Sequence, residues 1–132
     1  SEKARLTAEY LRSSLNFYRR ARDECKEIIV RCEKQVIKKI ILSDQTELSE
    51  ILILSTLGTT VSVVGILGKN NNKYLGVSVF ENIPKSLKFE IIIITSMKSA
   101  DRRYKNLSKI FTKRKIILPS ILTKNVSKNR HE

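Results

Sequence analysis

The chain is poor in the residues that carry out redox, metal and nucleophilic chemistry: of its 132 residues two are cysteine, one is histidine, one is methionine and none is tryptophan. Cys25 and Cys32 lie about 10.5 Å apart along a helix axis, too far for a disulfide within one helix. With only the near-terminal His131 beside them, they cannot complete a zinc site, and small core residues are the reading preferred for both. A hydrolytic triad would lack a positioned base. Gly65-Ile66-Leu67-Gly68-Lys69-Asn70 has a Gly-Lys pair without the four-residue gap or the following Ser or Thr of a Walker loop. Asp44, Glu47 and Glu50 cluster at a predicted helix start, where acids are favoured by the helix dipole. No catalytic residue, metal ligand or cofactor is therefore assigned, and the chain is expected not to be an enzyme.

An apolar leader is not expected either, since the stretch Ser1-Glu2-Lys3-Ala4-Arg5 is charged. With so few cysteines, an intracellular place is expected, cytoplasmic or with the nucleoid or nucleus. Ile51 to Gly68 runs without a charge and reaches the lower limit of a membrane span. Its glycines, hydroxyl residues and β-branched second half favour a strand instead, so a membrane partner is not expected.

What is present is positive charge, and it is unevenly placed. The formal net charge of +13 divides into +5 over residues 1–42, −1 over 43–96 and +9 over 97–132. A basic segment beside a neutral core attracts polyanions. From Lys98 to Arg130 the single acid is Asp101, whereas solvated surfaces usually intersperse both signs.

The periodicity predicts a long helix from Glu2 to about Leu42, free of Gly and Pro, whose seam runs through Leu11, Leu15, Tyr18, Cys25, Ile29, Cys32 and Val36. Spacings of four and three are those of a helix packed on a partner helix. Ser43-Asp44 is read as the cap of a short helix ending at Gly58. Val61–Leu67 and Tyr74–Phe80 are read as a hairpin about the Asn70–Asn72 turn, and Leu87–Thr95 as a central strand, given its Ile91–Ile94 run. Ser99 is read as the cap of a basic helix reaching about Lys113. The expected fold is thus α+β in a single domain over 1–122: a long N-terminal helix, a small, mainly antiparallel sheet of about three strands, and a basic C-terminal helix. Residues 123–132 are expected to form a disordered basic tail. The alternative is α/β with an extra strand at 36–42. A winged-helix arrangement would require Ser55–Leu67 to hold a recognition helix that lacks basic side chains, which is poor chemistry for phosphate contact.

These features predict a non-catalytic nucleic-acid-binding protein. Lys98, Arg102, Arg103, Lys105, Lys109, Lys113, Arg114 and Lys115 would contact phosphates, while the long helix makes a homo-oligomer, a dimer being favoured. Tyr104 and Phe111 share a stripe with Ala100 and Leu107, which marks them as core anchors rather than stacking platforms. The alternative is a scaffold or assembly protein whose positive charge meets an acidic protein partner.

Overall fold

The computed structural model describes residues 1–123. The expected tail therefore lies, except for Thr123, outside the described residues. Helix α1 (Glu2–Lys34) opens with the Ser1 hydroxyl accepting from the Ala4 amide. It stops well short of Leu42. The Ile37 amide donates to the Cys32 carbonyl (2.8 Å) and the Val36 amide to that of Glu33 (3.1 Å), a Schellman closure. Its left-handed position is filled by Val36, at φ 58°, where glycine is usual.

The chain then enters the sheet. Strand β1 (Lys39–Leu42) leads through helix α2 (Glu47–Ser55) to β2 (Ser62–Leu67). A short β3 (Lys73–Tyr74) folds back on β4 (Val77–Phe80), and β5 (Ile91–Ile93), helix α3 (Ala100–Ser108), a 3-10 turn at Lys113–Lys115 and β6 (Ile116–Ile117) follow. The six strands lie in the order β3-β4-β2-β1-β5-β6. β1 is parallel to both β2 and β5, β2 to β4, and β5 to β6, while β3 alone is antiparallel to its neighbour.

This overturns the expected small antiparallel sheet. β2 and β4 are not a hairpin: Ile66 pairs with Val79 and Leu67 with Phe80 in parallel. The hairpin turn lies later than the asparagines, at Leu75 (φ 52°) and Gly76 (φ 81°), whose two positive values suit the twist of a two-residue turn. That short excursion lets the chain return along β2 in the same direction. The stretch given a strand in the α/β alternative holds β1, and β1 is the middle of the sheet. Its Ile40, Ile41 and Leu42 are fully buried, as are Ile92, Ile93 and Ile94, because helices cover both faces of a parallel sheet.

The topology is doubly wound. From β1 the chain moves outward through β2 to β4, then crosses to the other flank for β5 and β6. The β1-α2-β2 and β5-α3-β6 crossovers run in opposite directions from the sheet centre, which under the right-handed rule for such units sets α2 and α3 on opposite faces. The downstream half of α1 packs beside α2, burying Ala21, Cys25, Ile28, Ile29 and Cys32. The Glu24 carboxylate ties α1 to the last described segment, accepting from the amides of Ser120 (2.9 Å) and Ile121 (2.7 Å). Gly65 has a packing reason: a Cβ there would overlap the Phe80 ring.

Ile51–Gly68 divides between α2, a loop and β2, and no helix among the described residues is long and apolar enough to cross a membrane. Since Ser62–Leu67 is a strand, the recognition helix of a winged-helix arrangement is not formed.

Candidate nucleic-acid interface

The eight basic residues singled out from the sequence fall into three groups. Lys98 follows β5, and Arg102, Lys105 and Lys109 are exposed along α3 and at its C-cap. Their spacing of three and four residues sets them on one side of the helix. Helix α3 is shorter than expected, so Lys113, Arg114 and Lys115 belong to the 3-10 turn beyond it. All three are exposed. The Lys115 ammonium lies 4.8 Å from the centroid of the Phe89 ring, and that ring meets Phe111 edge-on at 5.9 Å. Leu107 is buried, with Ala100, Tyr104 and Phe111 packed against the core, so the apolar stripe of α3 docks inward and the lysine and arginine side faces water.

Arg103 stands apart. Its Nε donates to Asp44 Oδ1 (3.1 Å) and a terminal nitrogen to the Ser43 carbonyl (2.7 Å), so it clamps α3 to the turn after β1. Among the described residues the ion pairs are Arg103–Asp44 and Arg5–Glu2. The other seven basic residues of 98–115 are exposed without an ion pair among the described residues, and with Asp101 the one acid of that segment the field there is strongly positive.

The clamp belongs to a buried polar knot that sequence reading missed. Ser43, Ser49 and Thr95 are fully buried. Thr95 Oγ1 accepts from the Asp44 amide (3.0 Å) and donates to the Asp44 carbonyl (2.8 Å), the Thr95 amide donates to Ser43 Oγ (2.9 Å), and Ser43 Oγ donates to Asp44 Oδ1 (2.8 Å). Ser49 Oγ adds contacts to the Asp44 carbonyl and to Thr95 Oγ1. Residues 43 and 44 thus do not cap α2. Thr46 does, its hydroxyl accepting from the Ser49 amide and donating to the Thr95 carbonyl (2.7 Å). A readable signal existed: the runs Ile40-Ile41-Leu42 and Ile91–Ile94 each end on hydroxyl residues, as adjacent parallel strands do when their C-terminal ends are tied together.

Compared with protein-family models, curated proteins and solved structures, the chain matches none. No group of three His, Cys, Asp or Glu suited to a metal ion occurs among the described residues. Burial, with Glu24 adding to it, pushes the Cys25 thiol up to about 12, and burial likewise raises Cys32. Both thiols are therefore protonated and weakly nucleophilic at neutral pH.

The expected oligomer seam divides in two. Cys25, Ile29 and Cys32 are spent inside the chain's own core. Leu11, Leu15, Tyr18 and Val36 are exposed, as are Leu6 and Tyr10.

Proposed function

We propose that the chain is a non-catalytic nucleic-acid-binding protein, acting in an intracellular compartment. Lys98, Arg102, Lys105, Lys109, Lys113, Arg114 and Lys115 contact backbone phosphates, and Arg103 positions α3 through Asp44. The observation supporting this reading is the absence of acid partners for those seven side chains among the described residues. We further propose that two copies associate through the upstream part of α1. There the apolar stripe that docks inward from Ala21 onward continues uncovered through Tyr18, Leu15 and Leu11. Residues 2–20 supply about 28 Å of helix for such a seam. Pairing would set two basic surfaces on one strand and raise avidity without new contacts.

The test is fluorescence anisotropy with labelled duplex DNA, single-stranded DNA and an RNA hairpin across a salt series, with an acidic polypeptide as competitor. Replacing Arg102, Lys105 and Lys109 together by Gln should weaken binding to every sequence and flatten the log–log salt slope by roughly 3. Equal displacement by the polypeptide, or binding unchanged in the triple variant, would refute this reading and favour a scaffold that meets an acidic protein. The exposed apolar stripe of α1 is the feature that would serve such a scaffold.

A further inference from the structure

In a doubly wound sheet the loops on either side of the point where strand order reverses leave a crevice beyond the C-terminal strand ends. Here the reversal lies between β1 and β5. A crevice of about 430 Å³ opens at this end, walled by the turn after β1, the loop after β2 and one side of α3. Its charged groups are Lys69, Arg102, Arg103 and Asp44, three cations and one carboxylate. Because Asp44 is already paired with Arg103, the lining carries a net charge of +2. Asn70 and Asn106 add side-chain amides.

The geometry points to this crevice as a binding site for a nucleoside phosphomonoester, carried either on a free nucleotide or on the 5′-phosphorylated end of a strand. A phosphate dianion matches the net charge, and guanidinium groups hold its oxygens bidentately. Arg103 is fixed by Asp44 and the Ser43 carbonyl, so donors not used in those bonds are oriented before a ligand arrives. The volume exceeds what a phosphate alone fills, and the amides offer donors and acceptors to a sugar or base. The glycine fingerprint of a dinucleotide site is missing from the turn after β1. The turn Ser43–Thr46 contains no glycine, and a pyrophosphate cradle needs glycine for close backbone approach. The ligand is instead held by side chains from α3 and from the end of β2. This site shares Arg102 with the strand-binding reading, whose other cations, Lys98, Lys105, Lys109 and Lys113–Lys115, lie outside the crevice, as Lys69 of the crevice lies outside that surface.

Isothermal calorimetry with AMP, adenosine and inorganic phosphate at about 50 mM salt tests it. AMP should bind one per chain, more tightly than phosphate, while adenosine should give no saturable heat. R102Q and K69Q alter exposed residues, and each should weaken AMP about tenfold or more, with thermal unfolding confirming that the variants fold. K113Q and R114Q should leave AMP binding unchanged while weakening strand binding, so the two readings fail separately. Preference for a 5′-phosphorylated over an unphosphorylated octanucleotide, competed by AMP, identifies the strand end as the source. Binding of AMP without that preference identifies the free nucleotide. No AMP binding, equal binding of adenosine, phosphate as tight as AMP, or full affinity in both R102Q and K69Q would overturn the assignment.

Discussion

Val36 closes α1 in the left-handed region with φ 58°, a conformation that crowds its branched Cβ against the backbone. For a non-glycine residue this costs about 1–2 kcal/mol, with β-branched side chains near the upper end. Val36→Gly removes that strain and keeps both Schellman hydrogen bonds, which use main-chain atoms. Against the gain stands the greater freedom of glycine in the unfolded chain, about 0.4–1 kcal/mol. Little packing is lost, because Val36 is 67% exposed, so the buried part of the side chain is worth roughly 0.5 kcal/mol. The net expectation is a stabilisation of up to about 1 kcal/mol, a rise in Tm of roughly 3–4 °C for a chain of this size. Urea unfolding followed by far-UV circular dichroism, at one fixed protein concentration, would show a higher midpoint with the same slope. Val36→Asn should fall between glycine and the parent. A loss of more than about 0.5 kcal/mol in the glycine variant would refute the strain argument. If the loss grew on dilution, Val36 would instead be making a contact between copies, as the original helical seam implied.

Thr95→Val keeps the shape of a fully buried side chain but removes the acceptor for the Asp44 amide; a stability loss of about 1–2 kcal/mol is expected in urea melts, with Thr95→Ser costing less. Gly65→Ala should cost about 1–3 kcal/mol by forcing the Phe80 ring aside. In a double-mutant cycle with Phe80→Leu, much of that cost should vanish, and strict additivity would show that the ring is not the obstacle. For Cys25 the folded thiol titrates near 12 against an ordinary 9.0, so the neutral form favours folding fully below pH 9 and this stability drains away as pH rises towards 12. Cys25→Ala should flatten the alkaline arm of a pH series of unfolding free energies, and the parent thiols should resist a thiol reagent at pH 8 until denatured. Ile92→Ala, at the sheet centre and fully buried, should cost about 2–5 kcal/mol, readable as a large fall in the urea midpoint.

How much of this was legible depended on whether the signal was local. The start of α1 was readable, for nothing in residues 2–34 interrupts a helix and the apolar spacing is sustained. Its end was not, because the stop is made by a valine in a glycine's conformation. The Ile91–Ile94 run announced a strand buried on both faces. Its neighbours were illegible, since parallel pairing of β1 with β5 joins residues about fifty apart and leaves no turn to detect. The three asparagines are a stronger turn signal than Leu75-Gly76, where the turn lies, and they give a parallel pair the pattern of a hairpin. At the candidate site the basic residues were countable from sequence. That Arg103 is claimed by Asp44, and that Lys69 and Arg102 line one crevice, depend on a strand order that no local pattern reveals.

The position of β1 also governs how the chain can be assembled. Both of its partners in the sheet come later in the sequence, at Ser62–Leu67 and Ile91–Ile93. A nascent chain that has exposed Ile40, Ile41 and Leu42 must hold them unpaired until at least β2 has emerged, and β5 closes the other side only after a further stretch without a helix. Non-local parallel pairing of this kind is slow. The first cooperative unit available during synthesis is therefore α1-β1-α2-β2, and the second flank, bearing Thr95, α3 and its arginines, joins last. The surfaces proposed to meet phosphate come into existence only when the final part of the described chain has docked.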